Sequence, residues 1–211
     1  MSLKQIYNEI IKANNVLILT HQNPDGDAIG SMMAMKTIIE KLDIPVDAVI
    51  TDKFNFINKV PNANKLLTET NKTYDLMIIV DTYTKQRLGH LSNLYDDSKK
   101  VIVLDHHPVE KEIENVNYID STAASATTVI YDLIKENNIA IDYNLAFYLY
   151  LGLLTDTGGF AYKNISIRAF NMASDLLSYG INHAKMYVDF VAFEYDIDYL
   201  YLKKGYSLGN K

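Results

Sequence analysis

Four short stretches of this chain concentrate acids and imidazoles at spacings suited to metal chemistry. "THQNPDGDAIGS" places His21, Asp25 and Asp27 within one turn, directly after the apolar run Val16-Leu17-Ile18-Leu19. "LMIIV" runs into Asp81, "VIVL" runs into Asp105-His106-His107, and "NLAFYLYLGLLTDTGGF" reaches Asp156 just before Gly158-Gly159. Each has an ordinary reading. Pro24, Gly26 and two aspartates make a good turn, Asp81 could cap the following helix, and a His-His pair suits a polar loop. An aspartate at a helix C-terminus, however, faces the negative end of the dipole. Taken together, so many carboxylates around one place would cost several kcal/mol of repulsion and desolvation without a cation. A metal centre is the stronger reading.

The donors are oxygen and imidazole, and the chain has no cysteine, so hard or borderline divalent ions fit and thiolate sites are excluded. Four carboxylates (Asp25, Asp27, Asp81, Asp156) suggest two ions, with Asp81 arriving centrally as the bridge. Such a pair can lower the pKa of a water between the ions and clamp an in-line phosphoryl displacement. Histidine donors favour Mn²⁺ over Mg²⁺, with Co²⁺ and Zn²⁺ open on affinity order.

Strand-length apolar runs at Val16–Thr20, Val46–Ile50, Leu76–Val80, Val101–Leu104 and Asn117–Ile119 must position these groups. They alternate with helical patterns over Leu3–Ala13, Ala28–Leu42, Ala63–Thr68 and Arg87–Leu94. This predicts an α/β fold, a doubly wound parallel sheet of five strands covered on both faces, whose carboxyl rim is the ligand-binding edge. Helices are expected next at Ser125–Asn137, Asn144–Thr155, Ile167–Tyr179 and His183–Lys204. In the helix toward Asp156, the buried face is expected at Ala146, Leu149, Tyr150, Leu153 and Leu154. Gly26 would let the backbone turn between two aspartates. Gly30 would let its helix pack close to the sheet, and that helix's N-terminus would favour an anion.

The 211 residues carry a net charge of -6, which argues against a basic surface for long duplex nucleic acid. There is no apolar run near ~18 residues and no signal-peptide pattern, so a cytoplasmic protein without membrane spans is expected.

The stretches "HQNPDGDAIGS", "VD" at Val80-Asp81, "DHH" at Asp105–His107 and "TDTGGF" at Thr155–Phe160 resemble, in order and spacing, the four signature motifs of the DHH phosphoesterases. The resemblance covers about residues 1–185. It implies a dinuclear manganese hydrolase of phosphoester or phosphoanhydride bonds, attacked by a hydroxide between the metals. His21, Asp25 and Asp81 would hold one ion, and Asp27, Asp81, His106 and Asp156 the other. His107 would face the substrate phosphate, and Asp105 would orient a histidine. The branch most resembled is the nanoRNase type, which degrades very short RNAs and dephosphorylates 3'-phosphoadenosine 5'-phosphate. An inorganic pyrophosphatase of the same superfamily and a non-catalytic nucleotide-sensing domain are the alternatives.

The resemblance also implies a domain division: a catalytic domain over residues 1–182, then a linker helix and the start of an absent C-terminal substrate-binding domain over 183–211. Many relatives carry an arginine just after the "TDTG" glycine, where this chain has Gly159 and Ala161, with Lys163 the nearest cation. Among other residues, Ser125 is a candidate phosphate contact, with helix capping the competing role, and Arg87 a candidate neighbour of the site. His90 and His183 read as surface or helix-end residues. The aromatic residues from Tyr187 to Tyr201 suggest self-association as a homodimer.

Overall fold

The computed structural model describes residues 1–51, 55–109 and 116–192. Five strands form one sheet: β1 (Val16–Leu19), β2 (Val46–Val49), β3 (Leu76–Val80), β4 (Val101–Asp105) and β5 (Val116–Ile119). Their order is β2-β1-β3-β4-β5 and every pairing is parallel. β1 and β3 are neighbours in space but lie on opposite sides of the point where the strand order reverses, so their carboxyl ends open onto the crevice where such sheets bind ligands.

Alternation along each strand divides the core in two. Val16, Ile18, Ile78, Ile102 and Leu104 face the larger core, with α1 (Leu3–Lys12), α2 (Gly26–Glu40), α4 (Ala126–Glu136), α5 (Tyr143–Asp156) and α6 (Ile167–Leu177). Leu17, Leu19, Met77, Ile79 and Val103 face a smaller core closed by Tyr74, Leu88 and Leu91. Both faces are covered as expected, but unequally. The second is roofed by a 3₁₀ segment, Lys85–Ser92, and the short α3 (Asn93–Asp97).

Side-chain caps start the helices: Ser2 on α1 in a capping box with Gln5, Asp142 on α5 and Ser166 on α6. α5 packs against α2, α4 and α6, so every residue from Leu145 to Leu154 is buried rather than one face of the helix. Gly30 meets α5 instead of the sheet. A Cβ there would lie 2.5 Å from the Tyr148 carbonyl oxygen. Two expected α-helices are 3₁₀ instead, at Ala63–Lys65 and across Lys85–Ser92, the latter broken at Gly89 (φ 58, ψ -133).

The expected helix His183–Lys204 begins as α7 (His183–Met186) and continues as a π-helical turn, Tyr187–Ala192. Tyr187 packs on Gly159 and Phe190 on Phe147, so these two aromatics face inward. Phe193, Tyr195, Tyr199 and Tyr201 lie outside the described residues. No described helix is long and apolar enough to cross a membrane.

Candidate metal centre

The loop after β1 is fastened to β3 by the Thr20 hydroxyl, which donates to the Val80 carbonyl at 2.9 Å. His21 is buried, with Nδ1 2.8 Å from the Gln22 carbonyl and Nε2 3.3 Å from Asp81 Oδ2. The carbonyl fixes the tautomer and leaves Nε2 as the free donor atom. Asp25 caps α2, its Oδ1 accepting from the Asp27 and Ala28 amides at 3.0 Å each. Turn chemistry thus accounts for one oxygen of Asp25 only. It also occupies those two α2 amides, so they are not available to an external anion.

Asp27 is 0% exposed, and its two oxygens accept from the Ala126 amide at 2.6 Å and the Thr127 amide at 3.0 Å, the first N–H groups of α4. α2 and α5 come close enough for this only because Gly26 and Gly152 lack side chains. A Cβ on Gly152 would lie 2.3 Å from Asp27 Oδ1, and one on Gly26 would lie 2.4 Å from Thr155 Oγ1. Ser125, the N-cap of α4, is fully buried, and its hydroxyl accepts from the Thr128 amide and bonds the Thr127 and Thr128 hydroxyls. That hydroxyl is committed to the helix start and is not presented to a ligand.

Asp81 sits at the tip of β3 in a left-handed backbone conformation, φ 57, rare for a residue with a side chain and most often retained at functional sites. At the tip of β4, Asp105 Oδ1 accepts from the His106 and His107 amides (2.7 and 3.2 Å) and from His107 Nδ1 (2.8 Å). His106 Nε2 lies 3.6 Å from Asp81 Oδ1, 3.8 Å from Asp27 and 3.5 Å from Asp156, the last residue of α5.

The ligand atoms therefore gather in groups, each lying within 4.8 Å of one another: His21, Asp25 and Asp81; Asp27, His106 and Asp156; and Asp81, Asp105, His106 and His107. Asp81 is common to the first and third groups. Arg87 is exposed, its carbonyl bonded to the Gln22 amide beside His21; His90 and His183 are exposed, and His183 bonds the Tyr150 hydroxyl at 2.9 Å.

The electrostatics fit a cation. Asp81 Oδ1, Asp105 Oδ2 and His106 Nε2 are buried without a hydrogen-bond partner. Among the described residues, no lysine or arginine pairs with Asp25, Asp27, Asp81, Asp105 or Asp156. Burial, then repulsion from neighbouring aspartates, pushes Asp81 well above the usual carboxylate range and Asp156 up to about 8. Burial also raises Asp27, against the opposing effect of His106 and the α4 amides. His107 is raised chiefly by its bond to Asp105, with burial and the Arg87 charge opposing. Divalent ions would supply the partners that Asp81 Oδ1 and His106 Nε2 lack, and the oxygen and imidazole set suits Mn²⁺ or a similar ion.

Three features escaped the sequence reading. Asp27 is held by α4, Gly152 makes room for it, and the Gln22 amide donates to the Arg87 carbonyl at 2.7 Å. Only Gly152 carried a local signal, a glycine inside an apolar helix, which marks a close approach.

The family model "DHH family, N-terminal domain" matches residues 15–153. A curated relative from Streptococcus mutans serotype c, named "Probable bifunctional oligoribonuclease and PAP phosphatase NrnA", is 30% identical over 201 residues, 93% of this chain and 63% of that one. The chain thus spans less than two thirds of that relative's length. An exopolyphosphatase-related protein from Bacteroides fragilis superposes with a TM-score of 0.80 at 23% identity, over 89% of this chain and 59% of that one. The exonuclease RecJ bound to manganese superposes with a TM-score of 0.54 at 13% identity, over 84% of this chain and 48% of that one. At these identities the two structures show the shared fold.

Proposed function

Since the chain belongs to the DHH family, we propose that its rim holds two divalent cations, Mn²⁺ in the leading reading, and hydrolyses phosphoester bonds in short oligoribonucleotides and 3'-phosphoadenosine 5'-phosphate. The carrying observation is the set of donor atoms gathered around Asp81 without a cation of the protein's own. His21, Asp25 and Asp81 would hold one ion, and Asp27, His106 and Asp156 the other, with Asp81 shared between them. When bound, such a pair neutralises phosphate charge and makes water a nucleophile near neutral pH.

The chain's own residues supply positioning. Asp105 fixes the His107 ring through Nδ1, and its carboxylate raises the pKa of that imidazole. In its protonated form the ring has a hydrogen on the outer nitrogen to offer a phosphate oxygen. The Gln22 carbonyl orients the His21 ring through Nδ1 and leaves Nε2 to face the ion. The name borne by the Streptococcus mutans relative and the motif order support nucleotide substrates. The domain division at residue 182 and a homodimer stay part of this reading.

The test is hydrolysis of a dinucleotide, 3'-phosphoadenosine 5'-phosphate and pyrophosphate, each with Mn²⁺ and with chelator. Mn²⁺-dependent release from either nucleotide, abolished by Asp81→Ala, is expected. Full activity in that variant would overturn the role given to Asp81, and pyrophosphate as the preferred substrate would overturn the substrate class.

A further inference from the structure

Only two of the chain's 20 basic residues are arginine, Arg87 and Arg168. Arg168 is committed to Asp120 and Asp132. Arg87 is exposed and, among the described residues, has no carboxylate within ion-pair distance. Its backbone is nevertheless fixed tightly. The Arg87 amide donates to the Thr84 carbonyl at 3.1 Å, and its carbonyl accepts from Gln22, the residue after His21, at 2.7 Å.

The flanking residues add to this. Leu88 is 0% exposed in the smaller core. Gly89, at φ 58, leaves room for Gln22, whose Oε1 would lie 3.0 Å from a Cβ there. The turn carrying Arg87 is thereby locked to the loop that delivers the first histidine. This anchor holds Arg87 in the segment that leaves β3 after Asp81, one hydrogen bond from the loop that carries His21.

A lysine would serve for general surface charge, and lysine is this chain's usual cation. A guanidinium differs by presenting a planar fork of donors that matches two oxygens of a phosphate. The backbone already holds the turn, so the side chain is not needed for that purpose.

We propose that Arg87 binds the substrate's scissile phosphate directly, its fork on two non-bridging oxygens at the open edge of the cluster beside His107. This rests on the phosphoesterase reading above. It turns Arg87 from a candidate neighbour of the site into a phosphate ligand.

The experiment compares wild type, Arg87→Ala and Arg87→Lys in the 211-residue protein. Mn²⁺ affinity is measured by electron paramagnetic resonance, inorganic phosphate binding to the Mn²⁺-loaded protein by calorimetry, and kcat and KM on a dinucleotide. Mn²⁺ affinity should be unchanged. Phosphate binding and kcat/KM should fall on the order of 10- to 100-fold in Arg87→Ala, as for a lost charge-assisted bond. Arg87→Lys should recover only part of this, and added guanidinium should restore part of the Arg87→Ala turnover.

If wild type binds Mn²⁺ but neither phosphate nor dinucleotide, the phosphoesterase reading falls and takes this assignment with it. If wild type cleaves and Arg87→Ala matches it in phosphate affinity, kcat and KM, the Arg87 assignment alone is overturned. A parallel loss of Mn²⁺ affinity, or no guanidinium rescue, would also overturn it, by giving the side chain a structural role.

Discussion

Asp120 and Asp132 converge on the guanidinium of Arg168, whereas Asp27, Asp81 and Asp156 converge on one another and on His106. Both groups are largely withdrawn from water, so the difference lies in what answers the charge. Arg168 lies 2.7 Å from Asp120 and pairs as well with Asp132, joining α6 to α4 and to the end of β5. Burial pushes Asp120 up, but the Thr122 hydroxyl and Arg168 outweigh it and its pKa falls. Asp132 stays raised by burial despite the same partner. At the rim nothing comparable is supplied, and buried atoms of Asp81, Asp105 and His106 have no partner at all. The first arrangement closes within the chain, while the second is complete only with something added. That separates acids serving the fold from acids serving a ligand.

The strongest way to break this contrast is to neutralise the rim without changing its shape. Asp81→Asn should reduce Mn²⁺-dependent turnover by roughly 10³-fold or more, in the range of lost electrostatic stabilisation at a reacting centre. The same change should raise the melting temperature of the metal-free protein near neutral pH, since an acid whose pKa the fold raises costs stability there and an amide does not. Thermal melts in chelator check this, and a destabilised variant would mean that the charge serves the fold.

Next in size is the exchange of protons for metal. Asp156, pushed up to about 8 from an ordinary value of 3.8, keeps a proton in the folded state that the unfolded chain releases. Its contribution to stability is therefore full below the ordinary value and is lost as pH rises through about 8. Metal-free protein should melt at falling temperatures from pH 5 to pH 8, and Mn²⁺ should flatten that slope. At one hundred times its dissociation constant, Mn²⁺ should contribute about 2.7 kcal/mol per site.

The contrast also marks how far sequence could go. Strands buried on both faces read as unbroken apolar runs, so "LMIIV" and "VIVL" located β3 and β4, and the residues after them followed at once. Weak helical periodicity misled at Ala63–Thr68 and over most of Arg87–Leu94, where Asn62 and Gly89 take positive φ and 3₁₀ turns form, α3 starting only at Asn93. The last helix was drawn as one piece. Its described part changes to π winding where Tyr187 meets Gly159, a tertiary contact with no local trace. At the site, residue types and strand ends were visible in sequence. The support for Asp27 was not, because it comes from amides 99 and 100 residues away.

Removing the internal cation should have the opposite sign to neutralising the rim. Arg168→Met leaves Asp120 and Asp132 facing each other in a partly buried place. It should destabilise the protein by about 2 kcal/mol, the cost of leaving a charged group unpaired. Mn²⁺ affinity should not change, because Asp27, Asp81 and Asp156 are not Arg168's partners. Urea unfolding and a Mn²⁺ titration on the same variant measure both quantities.

The smallest effects give the sharpest comparison, because one substitution is made in both places. Asp120→Asn removes a carboxylate whose pKa is lowered in the fold, so its contribution is present above the ordinary value and is lost as pH falls through the folded one. At pH 8 the variant should be about 1 kcal/mol less stable than wild type, with the difference vanishing in acid. Asp156→Asn removes a carboxylate whose pKa is raised, so in chelator at pH 8 it should be more stable than wild type, with the gain vanishing toward pH 4. Adding Mn²⁺ should reverse the order for Asp156→Asn alone, because the wild type then gains a ligand the variant lacks. Equal signs for the two variants in chelator would show that local packing, rather than the way each charge is answered, distinguishes the two groups.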